Sequence, residues 1–354
     1  MQQRSDVSES IAVPEARRPV LARVLELLDA GQRIVLTTHV NADGDGAGSE
    51  AALAAWLAGR GKHVTIVNPT PYPPTYLHLL YNTDQVADLG TAEAESAIRE
   101  ADLFVVLDTS EPKRLGKMPS RFGDRPVVVI DHHPSVEQAV EGTAIQDPAA
   151  CATGELIFDL LEFAEPGAEW PSTVAEAIYT AIVTDTGSFR YANATPRAHM
   201  IAAELLRRGV DPEAVYRRLF ATVPLRRITL LRAALENLET DPEVPVSWIT
   251  VPRSTFESLN ATSEDLDGIV EYARSIEGTE VALLFRETAD GSTKVSFRSN
   301  GEVDVNALAR QFGGGGHVKA SGALIRGPLE PTRQAVLDAA RETVRELEKR
   351  LEIR

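Results

Sequence analysis

The stretch Thr38-His39-Val40-Asn41-Ala42-Asp43-Gly44-Asp45-Gly46 decides the fold prediction. It follows an apolar run at 34–36 and precedes a helical pattern at 47–57, so His39, Asp43 and Asp45 leave the carboxyl end of a predicted strand. Two carboxylates and an imidazole crowded there favour a bound cation. An Asp-Gly-rich turn with a chance histidine is the alternative. Tight turning of the backbone is predicted at three glycines: Gly44, Gly46 and Gly48.

Two further strands of buried type also end in acidic or imidazole side chains. The run 102–107 ends in Asp108, and the run 127–130 ends in an Asp-His-His triplet at 131–133. Asp185 follows a helical pattern. Apolar runs separated by helical patterns predict a doubly wound, mostly parallel sheet, in which ligands bind beyond the carboxyl ends of the strands. These side chains are therefore expected to meet.

The chain is predicted to be an α/β protein with four parts. They are a disordered tail at 1–19, a catalytic domain built on the doubly wound sheet at 20–195, a helical connector at 196–240, and a smaller α/β domain with a mixed sheet at 241–350. In the last part we predict strands at 246–251, 281–286 and 294–298 and helices at 263–276 and 332–351.

Length, charge and cysteine content limit the classes of function. With 354 residues the chain can form two domains with separate cores. Its net charge of −16 disfavours long duplex nucleic acid and favours small substrates that are attracted locally. The single cysteine, Cys151, excludes an internal disulfide and fits a cytoplasmic location. No apolar run reaches the roughly 20 residues of a membrane span, so no membrane association is expected.

The predicted metal site consists of six side chains: His39, Asp43, Asp45, Asp108, His132 and Asp185. Four carboxylates and two imidazoles are too many for one ion and suit two divalent cations bridged by a carboxylate, for which Asp108 is the candidate. An oxygen and nitrogen ligand set without sulfur fits two Mn²⁺, with Mg²⁺ or Co²⁺ as substitutes. Two such ions commonly hydrolyse phosphate esters. Asp131 is predicted to orient a ligand imidazole, and His133 to face the phosphate as donor or general acid.

A second group of residues is predicted to bind substrate. Four successive glycines at 313–316 could cradle an anion with their backbone N–H groups, although a flexible loop after a helix is the alternative. A strand arginine nearby could bind phosphate or simply be exposed. The candidates are Arg298, Ser299, Asn300, Gly314, Gly315, Gly316, His317 and Lys319.

Together these motifs resemble the DHH phosphoesterases with an accompanying DHHA1 domain, over about residues 20–345. The short two-domain layout is similar to that of the bacterial oligoribonuclease (nanoRNase) and pAp phosphatase branch. The resemblance implies that His39, Asp43 and Asp108 hold one Mn²⁺, and that Asp45, Asp108, His132 and Asp185 hold the other. It implies that His133 lies by the scissile phosphate, and that Arg298, Ser299 and His317 hold the substrate across an interdomain cleft. The implied substrates are RNAs of a few nucleotides, pAp and pApA, with cyclic di-AMP left open, and a homodimer is expected.

Two other functions remain open on the sequence alone. A DHH-type inorganic pyrophosphatase would share the metal motifs, although Arg298 and Lys319 are the only cations near the glycine motif. A nucleotide-binding regulator would hold a ligand without hydrolysing it. A substrate panel with Mn²⁺ separates the three. RNA chain length, direction of digestion and the balance of the two activities depend on the width of the cleft.

Overall fold

The computed structural model describes residues 11–82 and 85–352. The chain divides between Ala221 and Thr222 into two compact units. None of the helices in the described part of the chain has both the length and the apolar character that a membrane span requires.

The first unit is built on a six-stranded sheet in which every strand pair is parallel. Its strands are β1 (Arg33–Thr37), β2 (His63–Asn68), β3 (Val86–Asp88), β4 (Leu103–Leu107), β5 (Val127–Asp131) and β6 (Thr143–Gln146). Its helices are α1 (Arg18–Ala30), α2 (Gly44–Gly59), α3 (Ala92–Glu100), α4 (Thr153–Ala164), α5 (Ser172–Asp185), α6 (Pro196–Arg207) and α7 (Pro212–Leu219). The strand order β3-β2-β1-β4-β5-β6 reverses direction between β1 and β4. Ligands bind at this kind of reversal in open α/β sheets.

Both faces of this sheet are buried, which explains the continuous apolar runs of its strands. Along β4, Leu103 and Val105 pack on one side of the sheet with α1, α2, α4 and α5, whereas Phe104 and Val106 pack on the other side with α3. Alternating side chains point to opposite faces of a strand, so a strand that is covered on both faces must be apolar throughout. The predicted doubly wound sheet is confirmed.

The second unit has a mixed six-stranded sheet in the order β11-β12-β10-β9-β8-β7. In chain order its elements are α8 (Leu225–Leu235), β7 (Leu238–Thr240), β8 (Val246–Val251), α9 (Arg253–Ser258), α10 (Ile269–Arg274), β9 (Val281–Glu287), β10 (Thr293–Ser299), α11 (Val305–Arg310), β11 (Gly315–His317), β12 (Ala320–Ile325) and α12 (Leu329–Glu352). Only β8 and β9 pair in parallel; the other pairs are antiparallel. Helices α11 and α12 cover one face, and α8 and α10 cover the other.

The predicted terminal tail differs from the structure. Residues 1–10 lie outside the described residues, but Val13 and Arg17 are buried and α1 begins at Arg18. Arg17 bonds to Asp147, Glu155 and Asp159. Because these carboxylates lie far along the chain, nothing in the local composition indicates that residues 11–17 pack against the first unit.

The segment predicted as a helical connector is divided between the two units. Val215 of α7 packs in the core of the first unit, and Leu230 of α8 packs in the core of the second. The segment also contains the short strand β7, which was not predicted. The helix predicted at 263–276 is broken by Gly268, whose φ of 81° is left-handed, and only residues 269–274 form a regular helix.

The three glycines of the opening motif have a packing role rather than the predicted turning role. All three lie in the first half of α2, where no left-handed backbone is present. A Cβ atom at Gly48 would lie 2.6 Å from the carbonyl oxygen of Ala177 in α5, and a Cβ at Gly44 would collide with Thr184. Small residues here therefore allow α2 and α5 to approach closely, which holds Asp45 and Asp185 at the same end of the sheet.

Candidate metal centre

The first cluster of ligands forms where β1 and β4 end side by side. The His39 Nε2 atom lies 3.3 Å from Asp108 Oδ2 and 3.7 Å from Asp43 Oδ2. Asp43 also begins α2, because its Oδ1 accepts hydrogen bonds from the N–H groups of Asp45 and Gly46. Its second oxygen is thereby directed toward the imidazole.

The second cluster surrounds the imidazole of His132, which follows β5. Its Nε2 atom lies 3.6 Å from Asp45 Oδ2, 3.7 Å from Asp108 Oδ1 and 3.7 Å from Asp185 Oδ2. These separations exceed hydrogen-bond length. Ligand atoms about 2.1 Å from one ion lie at most about 4.2 Å apart, so the separations fit ligands that share a cation.

Asp108 contributes one oxygen to each cluster, which makes the two clusters neighbours. The His39 Nδ1 atom lies 3.0 Å from the carbonyl oxygen of Val40, which accepts its proton, so in the neutral ring that a metal requires, Nε2 carries the lone pair. That Nε2 atom is buried and makes no hydrogen bond among the described residues. A buried nitrogen without a hydrogen-bond partner, surrounded by carboxylates, fits a cation.

The electrostatics of the site also favour a cation. Burial and the charges of Asp108 and Asp185 raise the pKa of Asp45 well above its usual range. Burial is likewise the main cause that raises the pKa of Asp185 to about 6. Burial alone would lower the pKa of His39, but the carboxylates of Asp108 and Asp43 together raise it to about 10. Without a metal the cluster therefore retains protons that a cation would displace.

We expect the binding of Mn²⁺ at about pH 7 to release protons. This pH lies below the pKa of His39, so the ring is protonated, whereas a ligand imidazole must be neutral. The affinity for Mn²⁺ should accordingly rise as the pH increases from about 6 toward 10. Titration calorimetry in buffers of different ionisation enthalpy measures the number of protons released. A heat of binding that is the same in every buffer would contradict this expectation.

Asp131 orients a different imidazole from the one predicted. Its Oδ1 atom accepts a hydrogen bond from His133 Nδ1 at 2.8 Å and another from the His133 backbone N–H at 3.0 Å. The predicted ligand His132 instead has its Nδ1 atom 3.4 Å from the carbonyl oxygen of Ala150. The Asp131 carboxylate accepts both the backbone N–H and the ring proton of the residue two positions on, so it orients the second histidine of the triplet and not the first.

Several supporting residues were missed by the sequence analysis. The N–H groups of Thr153 and Gly154, at the start of α4, donate to Asp45 at 2.7 and 2.9 Å. The Thr153 hydroxyl donates to Asp108 Oδ1 at 2.9 Å, and Asn193 Nδ2 donates to Asp185 Oδ2 at 3.0 Å. A helix N-terminus stabilises negative charge, which explains how Asp45 is held while fully buried. A Thr-Gly pair at a helix start was the only local signal.

Replacing Thr153 by valine should weaken Mn²⁺ binding about 10- to 100-fold without unfolding the protein, because the isosteric side chain loses its bond to Asp108. The matched control is Thr180→Val, since the Thr180 hydroxyl is buried in α5 and makes no hydrogen bond among the described residues. Equilibrium dialysis with Mn²⁺ measures both affinities. Equal affinities would show that the Thr153 hydroxyl does not support the ligand.

Comparison with known proteins identifies the family. Residues 33–182 match the DHH family, N-terminal domain, and residues 246–347 match the DHHA1 domain. A Thermus thermophilus protein named bifunctional oligoribonuclease and PAP phosphatase is 34% identical over 324 residues, which are 91% of this chain and 93% of that protein. The chain belongs to the DHH family of phosphoesterases. A Bacillus subtilis protein with the same name is 31% identical over 86% of this chain and 92% of its own length.

A solved structure shares the architecture of this DHH protein. It is the crystal structure of an exopolyphosphatase-related protein from Bacteroides fragilis, 26% identical with a TM-score of 0.86. The match covers 94% of this chain and 98% of the other. Each of the two units therefore has a fold that is present in a solved structure.

Within the DHHA1 domain, two predicted substrate residues are used internally. Ser299 is buried, and its hydroxyl donates to the carbonyl oxygen of Val303 at 2.8 Å. The Asn300 amide donates to the carbonyl oxygens of Arg274 and Thr279. These bonds shape the end of β10 and engage the side-chain donors of both residues. Arg298 is half-buried, and its Nε atom donates to Glu271 at 3.0 Å.

The second half of the glycine run in the DHHA1 domain forms an edge strand, which differs from the flexible loop that was the alternative to an anion cradle. Gly315–His317, as β11, pairs with β12, and Lys319 lies exposed in the turn between them. A Cβ atom at Gly316 would lie 2.6 Å from the carbonyl oxygen of Ala320, and its φ of 142° disfavours other residues. The strand register places His317 opposite Ala320, which in turn is opposite Arg298.

Proposed function

We propose that this DHH phosphoesterase hydrolyses short oligoribonucleotides and small nucleotides such as pAp and pApA with two bound Mn²⁺. The observation that carries the proposal is the position of Asp108 between the two ligand clusters. His39, Asp43 and Asp108 would hold one ion, and the other would be held by Asp45, Asp108, His132 and Asp185. The names of the two relatives support short oligoribonucleotides and pAp as substrates. A cytoplasmic location and a homodimer stay predictions.

When bound, the two ions would supply a hydroxide near neutral pH and stabilise charge on the reacting oxygens. The chain's own contribution is to hold six ligands in place and to position His133. Because Asp131 accepts the proton of His133 Nδ1, the Nε2 atom is the one left to contact the phosphate. His133 would act there as donor to the phosphate or to the leaving oxygen.

Substrate contacts from the DHHA1 domain would come from Arg298, the Gly314–Gly316 backbone, His317 and Lys319. Ser299 and Asn300 are left out of this set because their donors are engaged within the domain. An edge strand of glycines leaves backbone groups unpaired on its outer side. Such groups, beside a cation that can form a bidentate contact, suit a phosphate.

The test is a substrate panel with Mn²⁺, resolved by chromatography, that contains a ribodinucleotide, pAp, pApA, cyclic di-AMP and pyrophosphate. We expect turnover of the dinucleotide and of pAp, and loss of both when EDTA removes the metal. Faster release of phosphate from pyrophosphate than from any nucleotide would favour the pyrophosphatase alternative. Tight binding of all compounds without hydrolysis would favour the regulator.

Replacing His317 by alanine should raise KM for pAp about tenfold or more while kcat changes less, because the proposed contact binds substrate and no metal. Steady-state kinetics with the Mn²⁺ content measured in parallel checks this. Loss of bound Mn²⁺ from the variant would contradict the assignment of His317 to substrate.

A further inference from the structure

Three cations lie on one face of the sheet in the DHHA1 domain. Arg286 of β9 is directly opposite Lys294 of β10 in the antiparallel register, and Arg298 lies on the same face of β10 four residues further on. Like charges placed directly opposite each other destabilise a strand pair. The opposed pair of Arg286 and Lys294 therefore does not stabilise the sheet, and its presence needs another explanation.

Neither member of the opposed pair has an acidic partner among the side chains that the structure describes. Arg298 is bonded to Glu271, whereas Arg286 and Lys294 are in no ion pair within that part of the chain. Arg286 is half-buried, with its guanidinium 5.4 Å from the centre of the Phe256 ring. Burying a guanidinium without a counter-charge is unfavourable, which a bound anion would offset.

The three cations line a cavity between the sheet and the start of α10. Ser296 of β10 and Gly268 also line it, and Asp267 is the single carboxylate among the lining residues. Its volume of about 90 Å³ is well below that of a site for a whole nucleoside. The size suits a phosphate group. Because Glu271 pairs with Arg298, the charges left in the balance are the two cations Arg286 and Lys294 against the one carboxylate of Asp267.

The cavity adjoins the residues proposed to bind substrate. Arg298 lines the cavity, and its strand neighbour Ala320 is opposite His317 of the glycine strand. Strand β12 lies between β10 and the glycine strand β11. Its Gly322 is opposite Ser296 of the cavity, so small residues separate the cavity from the glycine strand. A substrate bound along this face could therefore place one group near the glycine strand and a phosphate in the cavity.

We propose that Arg286 and Lys294, together with Arg298, form a subsite for a phosphate group of the substrate that is not the one being hydrolysed. The inference rests on the proposed function. Arginine contributes a bidentate contact and lysine a point charge. The subsite favours substrates that carry a second phosphate, as pAp and pApA do, over a diester with a single phosphate.

The experiment compares wild type with the Arg286→Gln/Lys294→Gln double variant on two substrates, pApA and bis(p-nitrophenyl) phosphate. We expect KM for pApA to rise about tenfold or more, since two charged contacts are lost, and KM for the single-phosphate diester to stay within about twofold. The control is Arg326→Gln/Lys349→Gln, which removes the same charge at two exposed positions outside the cavity. The single variant Lys294→Gln changes an exposed side chain, so it keeps the test valid if the double variant unfolds.

Equal changes for both substrates, or no change for pApA, would overturn the subsite. Binding of pAp to the metal-free protein, followed by calorimetry, separates this result from failure of the proposed function. If wild type hydrolyses nothing but binds pAp more tightly than the double variant does, the phosphate site stands and the enzymatic proposal fails. If free inorganic phosphate alters kcat for the single-phosphate diester in wild type alone, the cavity is an effector site and the subsite is overturned.

Discussion

Replacing Asp108 by asparagine is expected to remove bound Mn²⁺ and to lower kcat on a ribodinucleotide by a factor of about 10³ or more. Asp108 contacts both clusters, so in the proposed two-metal site its loss would affect both ions. Bound metal contributes several kcal/mol of transition-state stabilisation, and about 4 kcal/mol corresponds to about 10³ in rate.

Asparagine is the appropriate replacement because Asp108 has a φ of 60°. Asparagine tolerates this left-handed backbone, whereas alanine would add strain that has nothing to do with the metal. The amide oxygen can still accept the bond from Thr153. The fold should therefore be retained, and circular dichroism checks this.

The control for this variant is Asp88→Asn, which changes an exposed carboxylate at the end of β3. Metal content is measured by mass spectrometry after gel filtration, and turnover is measured by chromatography. Retention of two ions per chain, with kcat within about tenfold of wild type, would show that Asp108 is not a bridging ligand.

The largest effect on stability is expected for Arg17→Met, which should lower the free energy of unfolding of the first unit by about 3–5 kcal/mol. Arg17 lies 2.7 Å from Asp147, 2.8 Å from Glu155 and 2.5 Å from Asp159. Glu155 and Asp159 are almost completely buried, and Arg197 alone would remain beside them. Buried carboxylates without enough counter-charge are the cause of the loss.

Scanning calorimetry measures the effect as a fall of the melting temperature of the first unit. Arg18→Met is a matched control, because the neighbouring Arg18 is half-exposed and pairs only with the exposed Glu15 among the described residues.

The Arg17 variant should also regain stability as the pH falls from about 7 to 5. Its unpaired buried carboxylates bind protons more readily when folded than when unfolded. A similar loss in both variants would contradict the role of the buried network.

Strands β4 and β5 of the first sheet could be located to within one residue from the sequence. Runs such as residues 103–107 and 127–131 are apolar and β-branched because both faces of the sheet are covered. The short strands β3, β6, β7, β11 and β12 were not predicted, since they are edge strands or contain glycine and polar residues that lack a clear period. Gly268 interrupts a helical pattern whose apolar spacing continues across it.

The clustering of the acidic and imidazole side chains was predictable because His39, Asp108 and His132 lie just beyond parallel strands, which end on one side of a sheet. The groups that hold those ligands were not predictable. Thr153 reaches Asp108 from 45 residues away, and Gly154 reaches Asp45 from 109 residues away. No local pattern indicates such pairings, because they depend on where α4 packs.

The sequence by itself determined the longer strands, the doubly wound sheet and the candidate ligands, since these follow from local periodicity and from residue type at strand ends. Only the tertiary structure decided that His133 is the partner of Asp131, that the opening glycines serve helix packing, and that Arg286 faces Lys294. These facts depend on distances between side chains that are remote in the chain. Such distances follow from the packing of whole elements, which a single sequence does not specify.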